Sequence, residues 1–243
     1  MCGRIFYLFE STEKLLEAIS SELKTDIVTE LKSADIYPRY NVAPTTNIPI
    51  ISDSNRLILL PWGFKAGPIQ IINARNEDIE SKKSFKHLID TNRCVIVCSG
   101  YYEWDQKNPK NKKPYSFRPK GHNIYFIAGL RNPETNSVVL ITREAVDSIA
   151  KIHTRMPVIL RSCHLASWLN NNKITFDNLK STILDEETYK DFIEFQPVNP
   201  IVNNARNESP LCLQSYAEYR KEGQNSFFTN RTKKTKFYVE EQE

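Results

Sequence analysis

Apolar residues recur along this chain in short alternating or continuous runs, punctuated by Pro, Asn, Asp and Ser. Near the start Leu15, Leu16 and Ile19 follow Ser11 at helical spacing, with Glu13 in the first turn, so a capped amphipathic helix is expected over 11–23. Runs rich in β-branched and aromatic residues predict strands in YPRYNVAPTTNIPII (37–51), RLILLPWGF (56–64), RCVIVCSGYYEWD (93–105), YSFRP (115–119), NIYFIAGL (123–130) and SVVLITRE (137–144). The stretch INARNEDIESKKSFKHLI (72–89) is expected to begin as a loop and become helical, with Asn73 a possible cap. Short helices are expected in ASWLN (166–170), TFDNLKSTIL (175–184) and ETYKDFI (187–193). FQPVNPIVNN (195–204) reads as an irregular loop, and KNPKNKKP (107–114) as a solvated turn.

Many short strands with interspersed helices, and no regular strand–helix–strand alternation, predict a single α+β domain on a mostly antiparallel, barrel-like sheet. The domain is expected over 2–218 and a charged, apolar-poor tail over 219–243. Within that tail RTKKTK (231–236) has the composition of a solubilising segment or a nucleic-acid patch.

The 243 residues are 40% hydrophobic and suffice for one sizeable core. No run reaches the ~18 apolar residues of a membrane helix, which excludes a helical membrane protein. A net charge of +4 permits a polyanionic partner without requiring one. The five cysteines are odd in number and no apolar signal segment precedes them, so free thiols in a reducing compartment are expected. Cys94 and Cys98 sit in an apolar strand and read as small hydrophobes rather than metal ligands.

Polar residues interrupt several core-like runs: Cys2 and Arg4 at the start, Arg39, Trp62 in PWG, Asn73 and Arg75 in NAR, Glu103 and Trp104 in GYYEW, Thr142 in ITRE, and His153 and Arg155 in IHTRMP. Each has a plain structural reading: a strand-end carboxylate, a satisfied histidine, a helix cap, a core tryptophan. Cys2 raises a sharper question. Behind a retained Met1 it is an ordinary thiol. Once Met1 is removed, it carries an α-amine beside a thiol, and an α-amine has a pKa of about 7.7–8.0 against about 10.4 for lysine.

In order and spacing, MCGR, RYNVAP, WG, INARNE, SGYYEW, IHTRMPVIL and PVNPIVNN resemble the SOS response-associated peptidase (SRAP) family, whose members process abasic sites in DNA. The resemblance spans roughly 2–205. The chain departs from the usual pattern at Pro68, Cys98–Ser99 and Arg131, which bears on loops rather than chemistry. The resemblance implies that Cys2 captures the aldehyde of an abasic site, first as an imine through its amine and then as a thiazolidine through its sulfur. It implies Glu103 and His153 as proton-transfer groups and Asn73 as the residue orienting the amine and the sugar oxygen. Arg4, Arg75 and Arg155 are implied as phosphate clamps, Arg39 and Thr142 as further DNA contacts, and Trp62 and Trp104 as base-stacking groups. The implied partner is single-stranded DNA or a single/double-strand junction, bound by a monomer in the nucleus of a eukaryote or the cytoplasm of a bacterium. No cofactor, metal or membrane is implied. Self-removal of Met1 and a weak strand-cleaving lyase activity are expected. An N-terminal-nucleophile cysteine hydrolase and a non-catalytic reader of modified bases are the rival readings.

Overall fold

Residues 2–222 are described by the computed structural model, except 24–25, 108–109, 111, 147, 171–172, 185–188 and 190–191. Met1 and residues 223–243, with the basic stretch 231–236, lie outside the described residues, as does most of the helix expected at 187–193.

The first helix is Thr12–Glu22. The Ser11 hydroxyl oxygen accepts from the Lys14 N–H at 3.3 Å, and Leu15 and Ile19 face the core. The expected strands form two main sheets. In the first, Ile5–Tyr7 lies between Gly100–Trp104 and Arg39–Val42, and Pro114–Pro119 and Ile193–Pro197 extend the other side. In the second, Arg93–Cys98 and Tyr125–Asn132 are central. Asn47–Ile51 and Arg56–Pro61 flank them on one side, Ser137–Glu144 and Arg155–Pro157 on the other. Among the described residues pairing is antiparallel apart from Asn73–Arg75 on Leu140–Thr142, Val28–Thr29 on Arg56–Leu57 and the single parallel bridge of Trp62 to Val138. The architecture is the expected α+β domain on mostly antiparallel sheet, and among the described residues neither sheet closes into a barrel.

The main core lies where the sheets face each other. Ile5, Tyr101 and Phe117 of the first and Ile50, Ile96, Ile127 and Leu140 of the second are fully buried there. Each contributes roughly 1.5–3 kcal/mol of transfer free energy. Gly100 is required by close approach, because a Cβ would meet the Phe6 ring and the Phe117 carbonyl oxygen. On the other face of the first sheet, Phe6 and Tyr102 pack under Val198, Val202 and Cys212.

Two local expectations fail, the first at 195–204, where the end of the strand Ile193–Pro197 and the short helix Pro200–Asn203 stand in place of an irregular loop. Asn73 caps no helix: it opens a short strand, and 76–91 is a series of turns. The stretch is anchored by a buried charge rather than by helical packing. Arg93, 1% exposed, donates to the carbonyls of Ile89, Trp168, Asn170 and Ile174. Residues 216–222 are helical, and the rest of the expected tail, from 223 onward, lies outside the described residues.

Candidate active site

Antiparallel register assembles the site. Ile5 opposes Tyr101, and the Tyr102 N–H donates to the Arg4 carbonyl at 2.9 Å, so the chain running back from Ile5 to Cys2 passes beside Glu103 and Trp104. The second sheet supplies the facing groups. Asn73–Arg75 pairs with one stretch of Ser137–Glu144, and Arg155–Pro157 pairs with an overlapping one, which puts Asn73 and His153 near the same strand.

Cys2 is fully buried, and its carbonyl accepts from Asn73 Nδ2 at 2.8 Å. Asn73 Oδ1 is buried without a hydrogen-bond partner, a spare acceptor on the amide that holds the Cys2 carbonyl. Glu103 is 3% exposed and its Oε2 lies 3.5 Å from His153 Nε2. Burial lifts the Glu103 carboxyl to about 8, with the positive amino terminus pulling the other way. Burial also lowers His153. Both directions favour a protonated carboxyl beside a neutral imidazole at pH 7 rather than an ion pair. Burial, then the Glu103 charge, raises the Cys2 thiol well above its usual value, so thiolate is scarce.

The arginines fall into two kinds. Arg75 is exposed, and its side chain makes no hydrogen bond or ion pair among the described residues. It lines a cleft of about 400 Å³ with Asn73, Ile71, Lys82, Ser84 and Phe85. The others are committed internally. Arg4 Nη1 donates to Asn41 Oδ1 at 2.5 Å and to the Val202 carbonyl at 3.0 Å, with its guanidinium over the Trp104 ring. Arg155 makes two bonds to Glu77, at 2.8 and 2.9 Å, and a third to the Thr142 carbonyl. Arg39 is held by Glu208 at 3.1 and 3.2 Å. These three brace the site in this structure.

The two tryptophans also differ. Trp104 is half-buried, its indole N–H on Asn203 at 2.7 Å, and it keeps surface beside Arg4. The stacking role expected of Trp62 is corrected: it is fully buried and its indole N–H donates to the Ile72 carbonyl, so it offers no face to a base. Thr142 is likewise fully buried, between Ala74 and Arg155, and cannot contact DNA directly.

Sequence reasoning passed over Asn41. Its side chain accepts from Arg4 and donates to the carbonyls of Val202, Asn204 and Asn207, which fastens the loop after Pro200 to the sheet under Trp104. A signal for its partners was present. NARNE occurs twice, at 73–77 and 204–208, and in both copies the glutamate clamps an arginine, Arg155 or Arg39.

The family described as SOS response associated peptidase (SRAP) matches residues 1–205. The chain is 34% identical over 234 residues to the abasic site processing protein YoqW of Bacillus subtilis, covering 89% of this chain and 100% of that one. It is 24% identical to YedK of Escherichia coli, covering 88% and 99%, and 28% identical to HMCES of Pongo abelii, covering 76% and 67%. A crystal structure of a protein from Bacteroides thetaiotaomicron has the same fold, with a TM-score of 0.69 at 22% identity over 88% of this chain and 99% of that one. By this match over most of its length, the chain belongs to the SRAP family.

Proposed function

We propose that this protein processes abasic sites in single-stranded DNA by capturing them covalently at Cys2. The observation that carries the reading is the convergence of Asn73, Glu103 and His153 from two sheets on one buried cysteine at the start of the chain.

Hydrolysis of the Met1–Cys2 peptide bond frees the α-amine. The neutral amine adds to the C1′ aldehyde of the ring-opened sugar, and loss of water gives an imine. The thiol then adds to the imine carbon, its proton passing to nitrogen, and closes a thiazolidine. Burial that suppresses thiolate makes the amine the first nucleophile and sulfur the second, which disfavours the cysteine-hydrolase reading. Asn73 Nδ2 fixes the Cys2 carbonyl, leaving Oδ1 to accept from the new amine. Glu103, with a carboxyl near 8, gives a proton to the departing hydroxyl and takes one from sulfur, and His153 shuttles it. Elimination of the neighbouring phosphate from the imine is a side reaction that ring closure suppresses.

The lesion-bearing strand enters along the cleft of Asn73, Arg75 and Lys82, where the exposed arginine meets phosphate. Among the described residues no helix is long and apolar enough to cross a membrane. Bacterial relatives such as YoqW and YedK favour the cytoplasm over the nucleus as the site of action.

Cys2→Ser tests the order of attack: it keeps the amine and removes the sulfur. Borohydride then traps an imine on an abasic oligonucleotide. A serine variant that gives no trapped product contradicts attack by the amine.

A further inference from the structure

A cleft of about 540 Å³ lies beside the first helix, with Lys14, Ser99, Arg118, His122 and Glu194 among its walls. Through Arg118 and Glu194 it adjoins a smaller one of about 170 Å³ that Ser116 and Gln196 complete. Ser116 and Arg118 alternate along one strand and share a face. Register places that face with Tyr102 and Phe6, opposite the one that carries Glu103.

Both side chains are polar and unsatisfied. Ser116 is 1% exposed, and its Oγ has no partner. Arg118 lays its guanidinium over the Phe6 ring at 5.3 Å, with Nε buried and without an acceptor. No ion pair joins Arg118 to Glu194, its neighbour across the strands. The other nitrogen-bearing side chains named in the cleft are already engaged: Lys14 with Glu17 at 2.7 Å, His122 with Glu22 at 2.8 Å. A buried guanidinium nitrogen without an acceptor is costly, and a planar or tetrahedral oxyanion meets Nε and a terminal nitrogen together.

We propose that Arg118 and Ser116 form an anion-binding site, separate from Cys2, that takes a phosphate or carboxylate group. Arg118 binds it side-on, the Ser116 hydroxyl donates from below and the Gln196 amide closes the far side. Glu194 opposes the charge and keeps the affinity low. Trp104 stands on the same face of the sheet, so a nucleic-acid strand passing it is one source of the phosphate; a free small phosphate is the other.

Inorganic phosphate titrated into the full chain, followed by amide chemical shifts at 114–119 and 193–197, tests the site. Wild type shows saturable shifts there. Arg118→Met, which keeps the packing on Phe6, weakens binding about tenfold or more. Glu194→Gln tightens it roughly threefold by removing the opposing charge. Shifts that persist in Arg118→Met, or that are missing from both wild type and Glu194→Gln, overturn the proposal. A second titration with an undamaged thymidine oligonucleotide separates the sources. Shifts at the same amides that Arg118→Met abolishes identify a strand phosphate; response to phosphate alone identifies a free small anion. Both titrations are read apart from adduct formation at Cys2, because neither inorganic phosphate nor the undamaged oligonucleotide carries an abasic site.

Discussion

His153 Nε2 faces Glu103 Oε2 at 3.5 Å, and the Arg155 backbone can hold the imidazole in either tautomer. Its carbonyl is 2.9 Å from Nδ1 and its N–H 3.0 Å from the same atom, so one accepts from a protonated Nδ1 and the other donates to a bare one. Nε2 can therefore accept from a neutral Glu103 or donate to its carboxylate without moving. Proton exchange between the two is matched by a change of partner at Arg155. Adduct formation in wild type is expected to lose rate as pH rises through about 8, where Glu103 loses its proton. Glu103→Gln is expected to slow the reaction at least about tenfold and to lose that limb of the profile, with DNA affinity retained. Rates measured from pH 6 to 9 check this.

The same carboxyl affects stability. Its folded value lies above its unfolded one, so the folded protein keeps a proton that the unfolded chain has released, and raising pH costs stability until about 8. His153 acts with the opposite sign, but only below about 6.5, where the unfolded imidazole is charged. Between pH 6.5 and 8 the wild type is expected to lose on the order of 2 kcal/mol relative to Glu103→Gln. Urea unfolding of both proteins at the two pH values measures the difference.

Arg75 and Arg39 are expected to behave oppositely. Arg75→Ala removes an uncommitted charge from the cleft and is expected to lower the salt slope of single-strand binding by about 0.7. Arg39 is neutralised by Glu208, so Arg39→Ala leaves that slope in place and loosens the 204–208 segment. Affinities at several salt concentrations distinguish the two.

Much of this was legible in the chain. The helix cap at Ser11 and the strand Ser137–Glu144 follow from local pattern alone, because burial of one face and capping act over a few residues. The residues around Cys2 stood out as polar interruptions of apolar runs, but their expected roles rested on the resemblance to SRAP proteins and not on local pattern. Hydrogen-bond commitments were hinted at only by the repeated NARNE, which does not say which arginine each glutamate holds. Nothing local says that Arg155 is held by Glu77, or that Asn41 binds three carbonyls over 160 residues away. The turns of 76–91 escaped for a similar reason: their anchor, Arg93, reaches carbonyls beyond residue 160.

Trp62 tests the reassignment of a residue from DNA contact to core. Trp62→Phe is expected to cost about 1–3 kcal/mol in stability, from the lost indole bond to Ile72 and the space left behind, while DNA affinity stays within about twofold. Thermal unfolding and a binding titration on the same preparation are sufficient.

Ile69 carries a different expectation. It is 65% exposed at the end of the hairpin Phe64–Ala66/Ile69–Ile71, on the same strand face as Ile71, which lines the cleft of Asn73 and Arg75. Gln70 points the other way, over Gly63, whose φ of +116 lets the hairpin leave Trp62 sharply. Ile69→Ser is expected to weaken oligonucleotide binding several-fold through lost apolar contact with a base, at unchanged thermal stability.

Intact mass spectrometry of the purified protein, before and after incubation with an oligonucleotide bearing one abasic site, tests the account most directly. The account predicts a chain lacking Met1 that gains the mass of the oligonucleotide less one water, stable to heat, with Cys2→Ala giving no such species. A heat-stable adduct that forms equally on Cys2→Ala, or a wild-type protein without Met1 that never gains the mass, contradicts it.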